Sequence, residues 1–293
     1  MSERTLISQT VLRRHRVAYF SVLTFFVVLF ALVFLFPLYW MVTNAVKDSD
    51  EIFRTIPTLV PESFHPEAFR IAWTRLQIGH FFLNTIFYTA GVWLFQILID
   101  VPVAYALSKL RPVFGKAVLA GMLASLMLPM TALLVPAYMN VSSLPVVGWN
   151  LINTPWALWL PAAANAFNVY VLKRFFDQIP IDLLDAAAMD GAGTFRVLWS
   201  VVLPLSRPVL AVISIFAIIG AWKDFLWPLL VLQDPQRQNL SVALARLATA
   251  PQASIQFNYL LAGLVIASIP MVVVFLVFQR HILSGLSAGG MKG

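Results

Sequence analysis

From residue 117 to residue 172 the chain carries no charged side chain, and that single stretch excludes most soluble folds. A spanning helix needs about 20 predominantly apolar residues, so 117–172 is too long for one crossing and suits two joined by a turn. Asn140, Ser142, Ser143, Pro145, Gly148 and Asn150 gather in its middle. These residue types favour nonhelical backbone and place the turn at 140–150. Apolar runs at 19–43, 83–107, 209–232 and 259–282 supply the remaining crossings. The expectation is an all-α fold, a polytopic transmembrane helix bundle of about six spans. Only 11% of residues are charged, against roughly 25% in an average soluble domain. A soluble fold of that composition would lack the polar surface to cover itself.

Arg13, Arg14 and Arg16 precede an uncharged run at 17–46, the arrangement of a secretory signal. The run is far longer than the about 7–15 apolar residues of a cleaved signal, and no small-residue cleavage pattern follows. It reads as a first helix that stays, preceded by a cytoplasmic segment at 1–18, with 19–293 forming one transmembrane domain. Lys and Arg concentrate in cytoplasmic segments near span ends. An inside N-terminus puts about 13 of them on the inner side and about 6 on the outer side. Both termini are then cytoplasmic, as is the loop between the fourth and fifth spans. The net charge of +7 comes from short clusters beside apolar runs rather than one basic face, which argues against nucleic acid as a partner. Cysteine is absent, and His15, His65, His80 and His281 share no metal-ligand spacing.

The loop at about 177–204 carries the most information. Pro180 suits the start of a helix, Ala186, Ala187 and Ala188 are strong helix formers, and Gly191 stands where a helix stops in a left-handed conformation. Thr194 then caps a second short helix, and Pro204 marks the turn into the next span. The result is a helix-turn-helix knuckle whose small side chains allow close approach of a partner, flanked by Asp185 and Asp190. A plain connector that caps the bundle has the same local pattern, and physics alone leaves the two open.

This loop resembles the Glu-Ala-Ala loop of permease subunits in bacterial ABC importers, in which Glu-Ala-Ala-x-x-x-Gly is followed by Leu-Pro about a dozen residues on. The chain matches that spacing from Asp185 through Gly191 to Leu203-Pro204, and Asp190-Gly191-Ala192 matches the form seen in sugar permeases. The likeness runs through Phe36-Pro-Leu-Tyr-Trp-Met, Asn84-Thr, Ala104-Tyr-Ala-Leu-Ser, Gly220-Ala-Trp-Lys-Asp-Phe-Leu-Trp-Pro and the tail from Gly285. Together these look like the second permease subunit of the carbohydrate-importer class, of maltose-type architecture. Asp185 stands where the family usually has Glu, and Lys223 where it more often has Asn.

The resemblance implies a cytoplasmic coupling loop in which Asp185, Ala186, Ala187, Ala188, Asp190, Gly191, Ala192 and Pro204 meet an ATPase. It implies as partners a second homologous permease subunit, two ATPase subunits and an extracytoplasmic solute-binding protein, in a bacterial inner membrane and its lipid. ATP and Mg then belong to the ATPase subunits, with no cofactor on this chain. Phe114-Gly115-Lys116 lacks the upstream glycine of a phosphate-binding loop. The expected solute is a di- or oligosaccharide moved inward by alternating access, with glycerol-phosphate or another polyol derivative as the alternative.

Ionisable residues inside spans usually face the bundle interior or water. Lys223 and Asp224, beside Trp222 and Trp227, therefore either line a solute path or sit at the membrane interface or a partner contact. Asp100 is the other intramembrane acid, and with no His or second acid nearby a structural contact to an adjoining helix suits it better than a proton relay. An ion-coupled carrier is the rival class of transporter. An enzyme has no candidate nucleophile, metal cluster or acid-base pair here.

Overall fold

The structure, a computed structural model, describes residues 16–249 and 256–290, with side chains described as far as residue 278. Of the cytoplasmic segment expected at 1–18, residues 1–15 lie outside the described residues, and 16–18 already belong to the first helix. Among the described residues every regular element is helical. In chain order the first are α1 (Arg16–Ala45), α2 (Ser49–Ile52), α3 (Glu67–Thr74), α4 (Ile78–Tyr105), α5 (Gly115–Ser125), α6 (Met130–Ser142), α7 (Trp156–Ala162) and α8 (Ala166–Asp177). There follow α9 (Ile181–Met189), α10 (Thr194–Val197), α11 (Leu203–Leu205), α12 (Arg207–Lys223), α13 (Leu226–Val231), α14 (Leu240–Thr249) and α15 (Phe257–Gly290). Two π-helical turns, Ala106–Leu110 and Leu198–Val202, interrupt the series.

Among the described residues three stretches are long and apolar enough to cross a membrane unbroken: Arg16–Ala45, Ile78–Leu110 and Phe257–Phe278. Two more qualify as bent pairs, α5 with α6 at 111° and Thr194–Leu205 with α12 at 83°. The expected continuous crossings within 117–172 are thus corrected to broken ones. Pro129 fixes its own φ, has no N–H to donate and restricts Leu128, so the helix stops at Ser125 and restarts at Met130. The next crossing breaks between α7 and α8, where Asn165 accepts from the Asn168 N–H at 3.1 Å and caps a new helix. The turn expected at 140–150 lies at 143–155, because α6 runs on through Ser142. The helix expected at 83–107 starts earlier, since residues 78–82 already belong to α4.

The chain divides into two compact units. The first comprises Met1–Ala72 and Pro251–Ile266. Its α1 exposes apolar side chains on every face from Val17 to Tyr39, as a helix solvated by lipid does. The loop after α1 is built on two buried charges. Lys47 Nζ donates to Asn44 Oδ1 at 3.0 Å and to the Thr58 carbonyl, and lies 4.9 Å from the centre of the Trp40 ring. Glu51, 3% exposed, accepts from Thr58 Oγ1 (2.6 Å), Ser63 Oγ (2.7 Å) and the N–H groups of Glu62 and Ser63. Burial pushes its carboxyl up, but these four donors outweigh burial and hold it at about 2.

The second unit comprises Trp73–Ala250 and Ala267–Gly293, with α4 at its centre. One core joins Val101, Ala104 and Tyr105 of α4 to Val169, Leu172 and Phe176 of α8, and continues through Leu184, Val197 and Val202 to Ile213 of α12. A second core sets Tyr88 against Val141, Leu158 and Val231. Gly91 permits the approach of α7 to α4: a Cβ there would stand 2.1 Å from the Trp159 ring, whose Nε1 donates to the Tyr88 carbonyl at 3.2 Å. His80, Asn84, Thr85 and Tyr88 lie along one face of α4 and pin the 236–240 segment. Asn84 Nδ2 donates to the Gln236 and Gln238 carbonyls at 3.0 Å, Tyr88 donates to the Arg237 carbonyl at 2.7 Å, and Thr85 Oγ1 accepts from the Leu240 N–H at 2.8 Å.

Candidate functional site

The alanine-rich knuckle is about two and a half turns of helix, Ile181–Met189, with a hydrogen-bonded C-terminal end. Pro180 sits at the N-cap of α9, and Asp182 places negative charge in the first turn, where the helix dipole favours it. At the other end Gly191 has φ +78°, the left-handed conformation expected of it. Its N–H donates to the Ala188 carbonyl at 2.9 Å and the Ala192 N–H to the Ala187 carbonyl at 3.0 Å, the paired bonds that satisfy carbonyls otherwise orphaned at a helix end. Ala187 and Ala192 pack back on the core. Asp185, Ala186, Ala188, Asp190 and Gly191 face outward, next to Met189 at 89% exposure and Phe195 at 76%.

The second short helix starts differently from the sequence reading. Gly193, in extended conformation, occupies the N-cap and its carbonyl accepts from the Val197 N–H at 3.0 Å. Thr194 is the first helical residue and so is not the cap; a residue inside the helix cannot present its hydroxyl to the free N–H groups ahead of it. The chain bends at Ser206, two residues after Pro204. Ser206 is fully buried and its Oγ donates to the Val202 carbonyl at 2.6 Å.

The fifth crossing is interrupted where a single helix was expected. Pro228 has no N–H for the carbonyl four residues earlier, Asp224 O. Asn239 Nδ2 donates to that carbonyl at 2.9 Å instead, and Asp224 turns extended between α12 and α13. Trp222 is buried, its Nε1 donating to the Ala267 carbonyl at 3.2 Å and its ring meeting Phe82 edge-on at 5.4 Å. Trp227 Nε1 donates to the Ala157 carbonyl at 2.9 Å. Lys223 is exposed and Asp224 half-buried. Trp222 also lines an apolar cavity of about 240 Å³ with Trp93, Thr89, Ile218 and Met271; Trp227 does not reach it. Asp100 is completely buried, its Oδ1 accepting from the Asn165 N–H at 2.9 Å and its Oδ2 from Asn168 Nδ2 at 3.2 Å, so it anchors the start of α8.

Sequence reasoning passed over Ser108, Lys109 and Asp177. Ser108 stands in the Ala104-Tyr-Ala-Leu-Ser segment that carries the resemblance, with Lys109 next to it, yet nothing in local spacing says that either meets the root of the knuckle. Ser108 Oγ donates to Asp177 Oδ1 at 2.7 Å, and Lys109 Nζ to the Ile179 carbonyl at 2.8 Å.

The described residues thus form a helical membrane core that carries an exposed, hydrogen-bonded knuckle on one of its loops. The family model of the binding-protein-dependent transport system inner membrane component matches residues 100–287, and the chain belongs to that family. More particularly, it is a permease subunit of an ABC importer. It is 33% identical over 270 residues to the probable ABC transporter permease protein YurM of Bacillus subtilis, covering 92% of this chain and 87% of that protein. It is 29% identical over 267 residues to the diacetylchitobiose uptake system permease protein NgcG of Streptomyces coelicolor, covering 90% and 86%. In fold it is similar to a chain in the crystal structure of a bacterial ABC transporter involved in import of the acidic polysaccharide alginate, with a TM-score of 0.79 at 24% identity, covering 94% and 98%.

Proposed function

We propose that this chain is the second permease subunit of a carbohydrate importer, pairing with a homologous permease, two ATPase subunits and an extracytoplasmic solute-binding protein to bring a di- or oligosaccharide into the cell. Both termini and the 177–204 loop are cytoplasmic. ATP and Mg bind the ATPase subunits, and nothing is hydrolysed on this chain. The observation that carries the reading is the knuckle itself: small side chains held outward on a helix whose last turn is closed by Gly191 and rooted in the core of α4, α8 and α12. A rigid knuckle in a partner's groove converts closure of the nucleotide sites into movement of whole helices, which is what alternating access requires. The sugar assignment draws on relatives such as the diacetylchitobiose permease. Trp222, Lys223, Asp224 and Trp227 are the residues assigned to the solute path, since indole faces suit sugar rings and charges suit hydroxyls.

Co-purification from a membrane carrying the whole complex tests the coupling role. The wild-type chain retains the ATPase, and Ala186→Trp, which fills an exposed position of the knuckle, releases it. A wild-type chain that retains no ATPase, or transport that continues after the ATPase is deleted, rejects the reading. Mass spectrometry of the compound retained by the cognate binding protein tests the solute: a saccharide is expected, and any other class rejects the sugar assignment alone.

A further inference from the structure

The knuckle loop leaves the membrane core at two roots. At one, 203–206, it continues covalently into α12. At the other, 177–180, it continues from α8, and α4 is held to it by side chains alone. We infer that Ser108 and Lys109 are a latch through which displacement of the knuckle is passed to α4. The inference rests on the coupling role proposed above for residues 185–192.

The geometry at this root is specific. α4 continues directly into the π-turn Ala106–Leu110, which the Arg111 N–H closes by donating to the Ala106 carbonyl at 2.8 Å, with Arg111 itself at φ 48°. π-turns are rare and recur at functional sites, because the wider turn re-aims the side chains that it carries. Here it carries Ser108 and Lys109, the first 2% exposed. Ser108 Oγ meets Asp177 Oδ1 at 2.7 Å, while Lys173 Nζ holds Asp177 Oδ2 at 2.7 Å from one helical turn away, so the carboxylate is fixed on both oxygens. Lys109 Nζ meets the Ile179 carbonyl at 2.8 Å. Ile179 directly precedes Pro180, the N-cap of the knuckle helix, and is itself in the core with Tyr105 and Leu184. Two charge-assisted or buried bonds therefore join the end of α4 to the last three residues before the knuckle. The second π-turn, Leu198–Val202, stands at the opposite root in the same core. A contiguous set of hydrogen bonds between rigid elements carries displacement in a way that a purely apolar contact, free to slide, does not.

The test uses the assembled complex of this chain with its permease partner and ATPases, spin-labelled at two exposed positions, Ile181 at the start of the knuckle helix and Leu83 toward the other end of α4. ATP with vanadate is the probe. In the wild type the knuckle and α4 move as one, so trapping leaves the interlabel distance distribution unchanged. Lys109→Met and Ser108→Ala free the knuckle from α4 and let trapping shift that distance while ATPase retention persists, and Lys109→Arg, which keeps a donor, restores the unchanged distance. Ser108→Ala removes a single hydroxyl and serves if Lys109→Met fails to assemble. A distance that stays unchanged in both variants overturns the latch, as does a wild-type complex that binds ATPase and shifts that distance on trapping. A wild-type chain that captures no ATPase fails on the coupling role first, and the latch falls with it.

Discussion

Replacing Gly191 by alanine unfastens the end of the knuckle for a conformational reason alone. The residue has φ +78°, and no atom lies within 4 Å of a Cβ built there, so steric contact contributes nothing and left-handed backbone contributes everything. A non-glycine residue in that region costs about 1–2 kcal/mol. The bonds that bear the cost are those from the Gly191 and Ala192 N–H groups to the Ala188 and Ala187 carbonyls. One to two kcal/mol is a factor of roughly 5–30 in the opening equilibrium, so hydrogen exchange of the Ala192 amide in the purified complex accelerates by that factor in Gly191→Ala. Gly191→Val is worse, because a β-branched residue is least tolerant of positive φ. Gly191→Asn stays near wild type, since asparagine visits this region at little cost. ATPase retention follows the same order. Exchange unchanged in Gly191→Ala, or Gly191→Asn as damaging as Gly191→Val, refutes the reasoning.

Asp100→Ala strands the Asn165 N–H and the Asn168 amide, and lowers stability by roughly 1–3 kcal/mol in thermal unfolding of the detergent-solubilised protein, whereas Asp100→Asn keeps an acceptor and loses less. Transport that stays intact in Asp100→Asn disposes of a proton relay. Asn239→Ala leaves the Asp224 carbonyl without a donor and costs roughly 1–3 kcal/mol by the same measurement; adding Pro228→Ala supplies an N–H four residues on, and a double-mutant cycle shows part of the loss recovered. The Glu51 carboxyl is depressed in the folded protein, so its contribution is present above the ordinary carboxylate range near 4.5 and lost as pH falls toward about 2. Proteolytic protection of residues 48–65 is therefore flat from neutral pH to pH 5 and falls below it, and Glu51→Gln lacks that dependence.

What the sequence by itself determined about this protein is what depends on short stretches of chain. Long uncharged runs have no stable place but lipid, so the helical membrane fold was legible, and so was the left-handed stop at Gly191, because only local backbone sterics decide it. The span breaks were decided elsewhere. Pro228 announces an orphaned carbonyl, but whether the helix kinks or parts depends on what reaches that carbonyl, and the group that does so, Asn239, stands 15 residues away from Asp224. The same holds for Ser108 with Asp177, 69 residues apart, and for Asn84 with Gln238, 154 apart. A buried polar group must find a partner wherever the fold brings one, and that partner's position is a property of the packed helices rather than of neighbouring residues.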